Sequence, residues 1–145
     1  MDYKNINLKN IDALSALFAD TFNSPPWGEQ WTSETAKKRL SMMLDGEAAY
    51  GLEAYDSGNL CGLIIGCFEQ YYDGVVFNLR EFCIKNPLRG SGLGSEMFTE
   101  LETKLRERRV KEITLNTIRV KATVGFYLKC GMLEDDSMAV MIKKL

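Results

Sequence analysis

The sequence predicts an α/β (α+β) fold, with a mixed, mostly antiparallel sheet flanked by helices on both faces. Three observations lead there. Apolar residues keep helical spacing up to Leu44, switch to strand-like runs from Ala48 to Ile84, and return to helical spacing from Leu93. Two turn clusters, Asp56-Ser57-Gly58-Asn59 and Asp73-Gly74, join the middle runs as antiparallel hairpins. The strand–helix–strand stretch from Val75 to Thr117 then requires a parallel crossover. At 145 residues the chain is read as one domain, 1–145, long enough to bury a core without staples.

Each element has its own signal. Tyr3 to Leu8 reads as a short edge strand. Ile11, Leu14, Leu17, Phe18 and Phe22 recur on one helical face, and the helix stops in Asn23-Ser24-Pro25-Pro26 because proline cannot continue it. Thr32 is the expected N-cap of a second helix, with Glu34 at the positive dipole end and Ala36, Leu40, Met43 and Leu44 as its apolar face. Tyr50 to Tyr55 is a strand. Leu60 to Phe68 is nearly continuous apolar sequence, as in a strand covered on both faces. Val75 to Ile84 is the next strand, and Leu93, Met97, Leu101 and Leu105 mark the strongest helix. Ile113, Leu115 and Thr117 alternate as a further strand. Lys121 to Lys129 forms a short helix closed by Gly131, and Met138 to Ile142 is expected to be the last strand.

Composition narrows the chemistry. There is no histidine, so Ser-His-Asp and Cys-His triads, His-ligated metals and a His general base are excluded. A net charge of −2 argues against a nucleic-acid partner. Cys61, Cys67, Cys83 and Cys130 include no CxxC pair and three lie in apolar runs, so they read as reduced, buried thiols with no metal site. No apolar run approaches membrane-spanning length and the N-terminus has no signal-like stretch, which makes a cytoplasmic protein without a membrane partner the expectation. The last strand leaves an edge that would permit a homodimer.

The segment Arg89-Gly90-Ser91-Gly92-Leu93-Gly94-Ser95 carries the sharpest signal. Alternate glycines let backbone wrap closely around a ligand, the following helix start offers free N–H groups and a positive dipole end, and Arg89 adds charge. Together they suit a phosphate. A Walker A loop would need Lys-Ser/Thr after the last glycine, where Ser95-Glu96 stands, and a dinucleotide fingerprint would need glycine in place of Ser95.

The loop resembles the pyrophosphate loop of the GCN5-related N-acetyltransferases (GNAT), whose pattern is Arg/Gln-x-x-Gly-x-Gly/Ala. The resemblance extends upstream to Glu81-Phe82-Cys83-Ile84-Lys85-Asn86-Pro87 and downstream to Phe126-Tyr127-Leu128-Lys129-Cys130-Gly131-Met132. It departs where the family has Asn seven residues before the Tyr and Ala four before it; here Val120 and Thr123 stand. It implies the GNAT-like acyl-CoA N-acyltransferase fold, acetyl-CoA as donor and a primary amine as acceptor. It further implies that Arg89, Gly90, Ser91, Gly92, Leu93, Gly94 and Ser95 hold the diphosphate. Phe82, Cys83 and Ile84 would pair with the pantetheine arm on a strand splayed from its neighbour, and Tyr127 would protonate the departing thiolate.

An amine arrives at neutral pH as ammonium, its pKa being ~10, so a base is needed. Without histidine, Glu81 is the candidate: it sits on the strand leading to the loop, shares a face with Cys83, and is flanked by apolar residues that would raise its pKa. Trp27, Glu29 and Trp31 on the proline-stiffened loop, with Tyr72 opposite, would line an acidic, aromatic acceptor site for a small polyamine- or aminosugar-like (aminoglycoside-like) amine. The alternatives are a peptide or protein lysine acceptor, a non-catalytic acyl-CoA-binding regulatory module, and a nucleotide-binding structural domain.

Overall fold

The computed structural model describes all 145 residues. Five strands form one sheet in the order β1-β2-β3-β4-β5. They are β1 (Asp2–Asn5), β2 (Ala49–Asp56), β3 (Asn59–Tyr71), β4 (Gly74–Ile84) and β5 (Glu112–Thr114). Four helices accompany them: α1 (Ile11–Phe22), α2 (Ser33–Leu44), α3 (Leu93–Glu107) and α4 (Lys121–Lys129). Neighbouring strands are antiparallel except β4 and β5, which run parallel on either side of the α3 crossover.

The two periodicities read from the sequence meet across the sheet. On one face α1 and α2 bury Leu14, Phe18, Phe22, Ala36 and Leu40 against Leu63, Ile65 and Cys83. On the other face α3 buries Met97, Phe98, Leu101 and Leu105 against Ile64, Phe77, Leu79 and Ile84. Leu63, Ile64 and Ile65 thus feed opposite cores in turn, which explains the continuous apolar run in β3. Thr32 caps α2 as expected: its hydroxyl accepts from the Thr35 amide at 3.1 Å while Thr35 Oγ1 accepts from the Thr32 amide at 2.9 Å.

Two expectations at the C-terminal end are corrected. The strand expected through Thr117 ends at Thr114, where its pairing with Asn78 of β4 stops. The segment Met138 to Ile142 forms no strand; its residues are irregular and exposed. It has the continuous apolar run of a strand covered on both faces, but a strand also needs a neighbour for its backbone N–H and C=O groups, and the chain folds no edge against it.

Candidate active site

The site grows from an irregularity in β4. Ile65 pairs with Glu81 and the adjacent Gly66 pairs with Leu79, so Arg80 is an extra residue bulged out of β4. A bulge re-aims the side chains beyond it. Phe77 and Leu79 before it and Ile84 after it all serve the α3 core, whereas Glu81 and Cys83 are turned to the α1–α2 face. The parallel ladder to β5 ends at Asn78, just ahead of the bulge. From Leu79 to Ile84 the outer edge of β4 therefore has no strand partner. This is the splayed strand, and Phe82, Cys83 and Ile84 lie on it as the sequence led one to expect.

The glycine-rich turn follows directly. Gly92 sits at φ 92° as the N-cap of α3, a left-handed conformation that glycine adopts without strain. At this corner the Ser91 amide bonds to Leu88 O and the Glu96 amide to Gly92 O, while the amides of Leu93, Gly94 and Ser95 have no acceptor in the chain. A side chain on Gly94 would come within 3.2 Å of the Phe126 ring, so this glycine lets the start of α3 approach α4. Gly90, Gly92, Gly94 and Ser95 line a cleft of about 1050 Å³ together with Glu81, Phe82, Cys83, Ile84, Tyr127 and others.

Arg89 does something other than its charge suggests. Its guanidinium donates to Thr21 O at 3.2 Å and Pro25 O at 3.0 Å, and lies 4.9 Å from the centre of the Trp27 ring. The neighbouring Asn86 amide donates to Asp20 O and Ser24 Oγ. The side chain borders the cleft, but its donors brace the end of α1 and the loop after it instead of pointing free at a phosphate.

Glu81 is nearly buried, its side chain 11% exposed. Arg39 of α2 donates to Glu81 Oε1 through Nη2 at 2.6 Å and Nε at 3.0 Å. Oε2 accepts no hydrogen bond within the chain and is left for another partner. Burial outweighs this ion pair, so the carboxyl stays above the ordinary glutamate range, with the negative field of Glu29 adding to the rise. Tyr127 packs edge-on to Phe98 and Phe126, and its hydroxyl makes no hydrogen bond within the chain. Burial, reinforced by Cys130 and Glu81, pushes the phenol upward and keeps it protonated. Desolvation lifts the Cys83 thiol to about 12, which leaves it a poor nucleophile at neutral pH.

The acceptor wall differs from the sequence expectation. Trp27 borders the cleft, but it packs against Phe22 and receives the Arg89 guanidinium. Trp31 does not reach the cleft: it packs edge-on to Phe18, and its indole N–H holds Glu29, which does line the cleft. Tyr72 is fully exposed at the β3–β4 turn, the opposite end of β4 from Glu81, so it cannot form a wall there. Arg39 escaped sequence reasoning because a lone arginine on an amphipathic helix carries no positional signal. Asn116, Thr117 and Ile118 on the connection leaving β5, and Lys121 at the start of α4, also line the cleft and are signalled only by its position at the end of a parallel strand. Val120 caps α4 without a side-chain hydrogen bond, where the family pattern has Asn.

A splayed parallel strand, a helix start with unpartnered amides and a cleft joining them make up the candidate site. The model of the acetyltransferase (GNAT) family matches residues 11–132, and the chain belongs to that family. No curated protein matches the sequence. Among solved structures, a probable acetyltransferase superposes with a TM-score of 0.83 at 16% identity, covering 100% of this chain and 98% of its own. A ribosomal-protein-alanine N-acetyltransferase from Brucella melitensis biovar Abortus 2308 gives 0.78 at 20% identity, covering 99% and 98%. An aminoglycoside acetyltransferase from an uncultured soil metagenomic sample, solved with sisomicin, gives 0.76 at 13% identity, covering 99% and 95%. At these identities the likeness shows the fold. No helix is long and apolar enough to cross a membrane.

Proposed function

We propose that the protein transfers an acetyl group from acetyl-CoA to a primary amine of a small polyamine- or aminosugar-like molecule, directly and within a ternary complex. The unpaired edge of β4 from Leu79 to Ile84, running into the free amides at the start of α3, carries this reading. The residues present fit the donor: the amides of Leu93, Gly94 and Ser95 suit its diphosphate, and the edge of Phe82–Ile84 suits the amide-rich pantetheine arm.

When bound, the coenzyme supplies an activated acetyl thioester. A β4 amide facing the thioester oxygen would stabilise the charge that builds there, an effect worth roughly 3 kcal/mol per donor in comparable sites. Glu81, with Oε1 held by Arg39 and Oε2 free, takes the proton from the ammonium directly or through water. Its raised pKa brings it closer to the working pH, where a base acts best. Tyr127, held protonated by burial, gives its proton to the departing sulfur. Glu29 and Glu81 on the acceptor side supply negative charge for a cationic substrate, and aminoglycoside acetyltransferases among the structural neighbours accord with such an acceptor.

CoA release tests the proposal, measured with acetyl-CoA and a panel of a polyamine, sisomicin and an alanine-terminated peptide, alongside calorimetry with CoA and ATP. Turnover with a small amine is the expected result. Tight CoA binding with no turnover would make the chain a binding module, a preference for the peptide would move the acceptor class, and a preference for ATP would remove the donor assignment.

A further inference from the structure

A buried hydroxyl in the wall of the cleft has no partner in the chain. Thr21, in the last turn of α1, is 1% exposed, and its Oγ1 makes no hydrogen bond. A helical serine or threonine commonly donates to the carbonyl one turn back, as Ser15 does to Ile11 O at 2.6 Å and Thr103 to Thr99 O at 3.0 Å. Tyr3 Oη, Tyr50 Oη and Asn86 Oδ1 are also buried without partners, but of these residues only Thr21 lines the cleft. A buried polar atom left unpaired costs stability, so its presence at a ligand-sized opening points to a partner that arrives with the ligand.

The surroundings fix where that partner sits. Thr21 faces the Cys83 thiol, a weak hydrogen-bonding group, without forming a bond of ordinary geometry to it. Cys83 and Glu81 both turn to the α1–α2 side of β4, two residues apart, which spaces them by roughly 7 Å along the strand. Glu81 Oε2 is free, its other oxygen being held by Arg39. A single nitrogen making two hydrogen bonds of about 3 Å spans about 6 Å, which matches the spacing of this row. The Arg89 guanidinium grips the Thr21 carbonyl at 3.2 Å, so the hydroxyl is held in place before any ligand enters.

We infer that Thr21 Oγ1 accepts one N–H of the acceptor amine and thereby selects primary over secondary amines, an inference that rests on the acetyl-transfer reading. The neutral amine that attacks carries two N–H bonds and one electron pair. With one N–H accepted by Thr21 and the other turned to the Glu81 side, the electron pair faces the open edge of β4, where the thioester would lie. A secondary amine has a single N–H. If Glu81 takes it, an alkyl group meets the buried hydroxyl and leaves it unpaired. If Thr21 takes it, the base loses its contact. A site that hydrogen-bonds a substrate N–H rejects analogues lacking it for this reason. Charge on Glu81 attracts any amine, and the uncharged Thr21 adds the count of N–H bonds as a second criterion.

The test compares kcat/KM from CoA release for putrescine, sisomicin and the alanine-terminated peptide, each against its N-methylated form, in wild type, Thr21→Val and Thr21→Ser. Wild type should favour the primary amine by roughly 10- to 100-fold. Thr21→Val keeps the shape and removes the hydroxyl. The preference should then shrink to a few-fold through loss on the primary amine, with the KM for acetyl-CoA unchanged, and Thr21→Ser should restore it. The thermal midpoint of unliganded Thr21→Val should equal or exceed that of wild type, because no bond within the chain is lost. A preference that survives in Thr21→Val, a wild type without one, or a midpoint several degrees lower in Thr21→Val overturns the inference and leaves acetyl transfer intact. No CoA release with any of these amines overturns the acetyl-transfer reading and this inference with it. If Thr21→Val does not fold, Thr21→Ala gives the same comparison of amines.

Discussion

Arg39 is the residue on which the proposed acid–base chemistry turns. It donates twice to Glu81 Oε1 and so favours the ionised carboxylate, partly offsetting the burial that favours the neutral acid. Arg39→Met keeps the apolar stem and removes the charge, so Glu81 should hold its proton to higher pH. A hydrogen bond to a charged group is worth about 1.5–3 kcal/mol. Because Arg39 is 37% exposed, solvent screening reduces the pair to about 1–2 kcal/mol. At 1.36 kcal/mol per pH unit, the acid limb of kcat/KM for the amine should move upward by about one unit. Below that limb the rate should fall about tenfold, while the plateau above it changes little. Arg39→Lys should restore part of the profile. The same carboxyl enters stability. Its folded pKa lies above the unfolded value, so its contribution favours folding at acid pH, declines as pH rises through the window between the two values, and is flat above. Thermal midpoints of wild type and Glu81→Gln across that window should therefore differ in slope. An acid limb that stays in place in Arg39→Met, or moves to lower pH, would refute the reasoning and reduce the pair to packing.

Tyr127→Phe should lower kcat at saturating donor by about 100-fold, with CoA affinity within a few-fold of wild type; unchanged turnover in a CoA-release assay would leave Tyr127 as part of the Phe98–Phe126 aromatic cluster only. Arg89→Leu should raise the KM for the amine several-fold and that for acetyl-CoA less, because its donors hold the Thr21–Pro25 segment; steady-state kinetics showing the reverse order would return the guanidinium to the phosphate. Gly92→Ala should cost about 1–2 kcal/mol by forcing a side chain into a left-handed conformation, visible as a fall of several degrees in the thermal midpoint together with weaker CoA binding by calorimetry.

What could be read from the sequence is what neighbouring residues decide among themselves. The hairpin at Asp73-Gly74, the cap at Thr32, the glycine turn before α3 and the faces of the helices depend on local backbone chemistry, and all four stand where they were expected. Glu81 was identified from its position before the loop, but the reason it turns toward α2 is the extra residue Arg80, a bulge that no composition or spacing announces. Arg39 and Glu81 are 42 positions apart, and their meeting depends on the packing of α2 across the sheet. Arg89 shows the opposite failure: charge beside a phosphate loop suggested one use, and the distant carbonyls of Thr21 and Pro25 supplied another. Chemical type alone suggests Tyr72 for the acceptor wall, but the length of β4 separates the β3–β4 turn from Glu81. The arm after Ser137 is the most instructive case. Its run of apolar residues is of the same kind as the one in β3, which did form a strand, so intrinsic preference cannot be what separates them. The difference is a neighbour: β1 to β5 each find one inside the chain, and the arm does not. A strand pattern is thus a statement about a surface that must be met, and a segment that carries the pattern without a neighbour stays irregular.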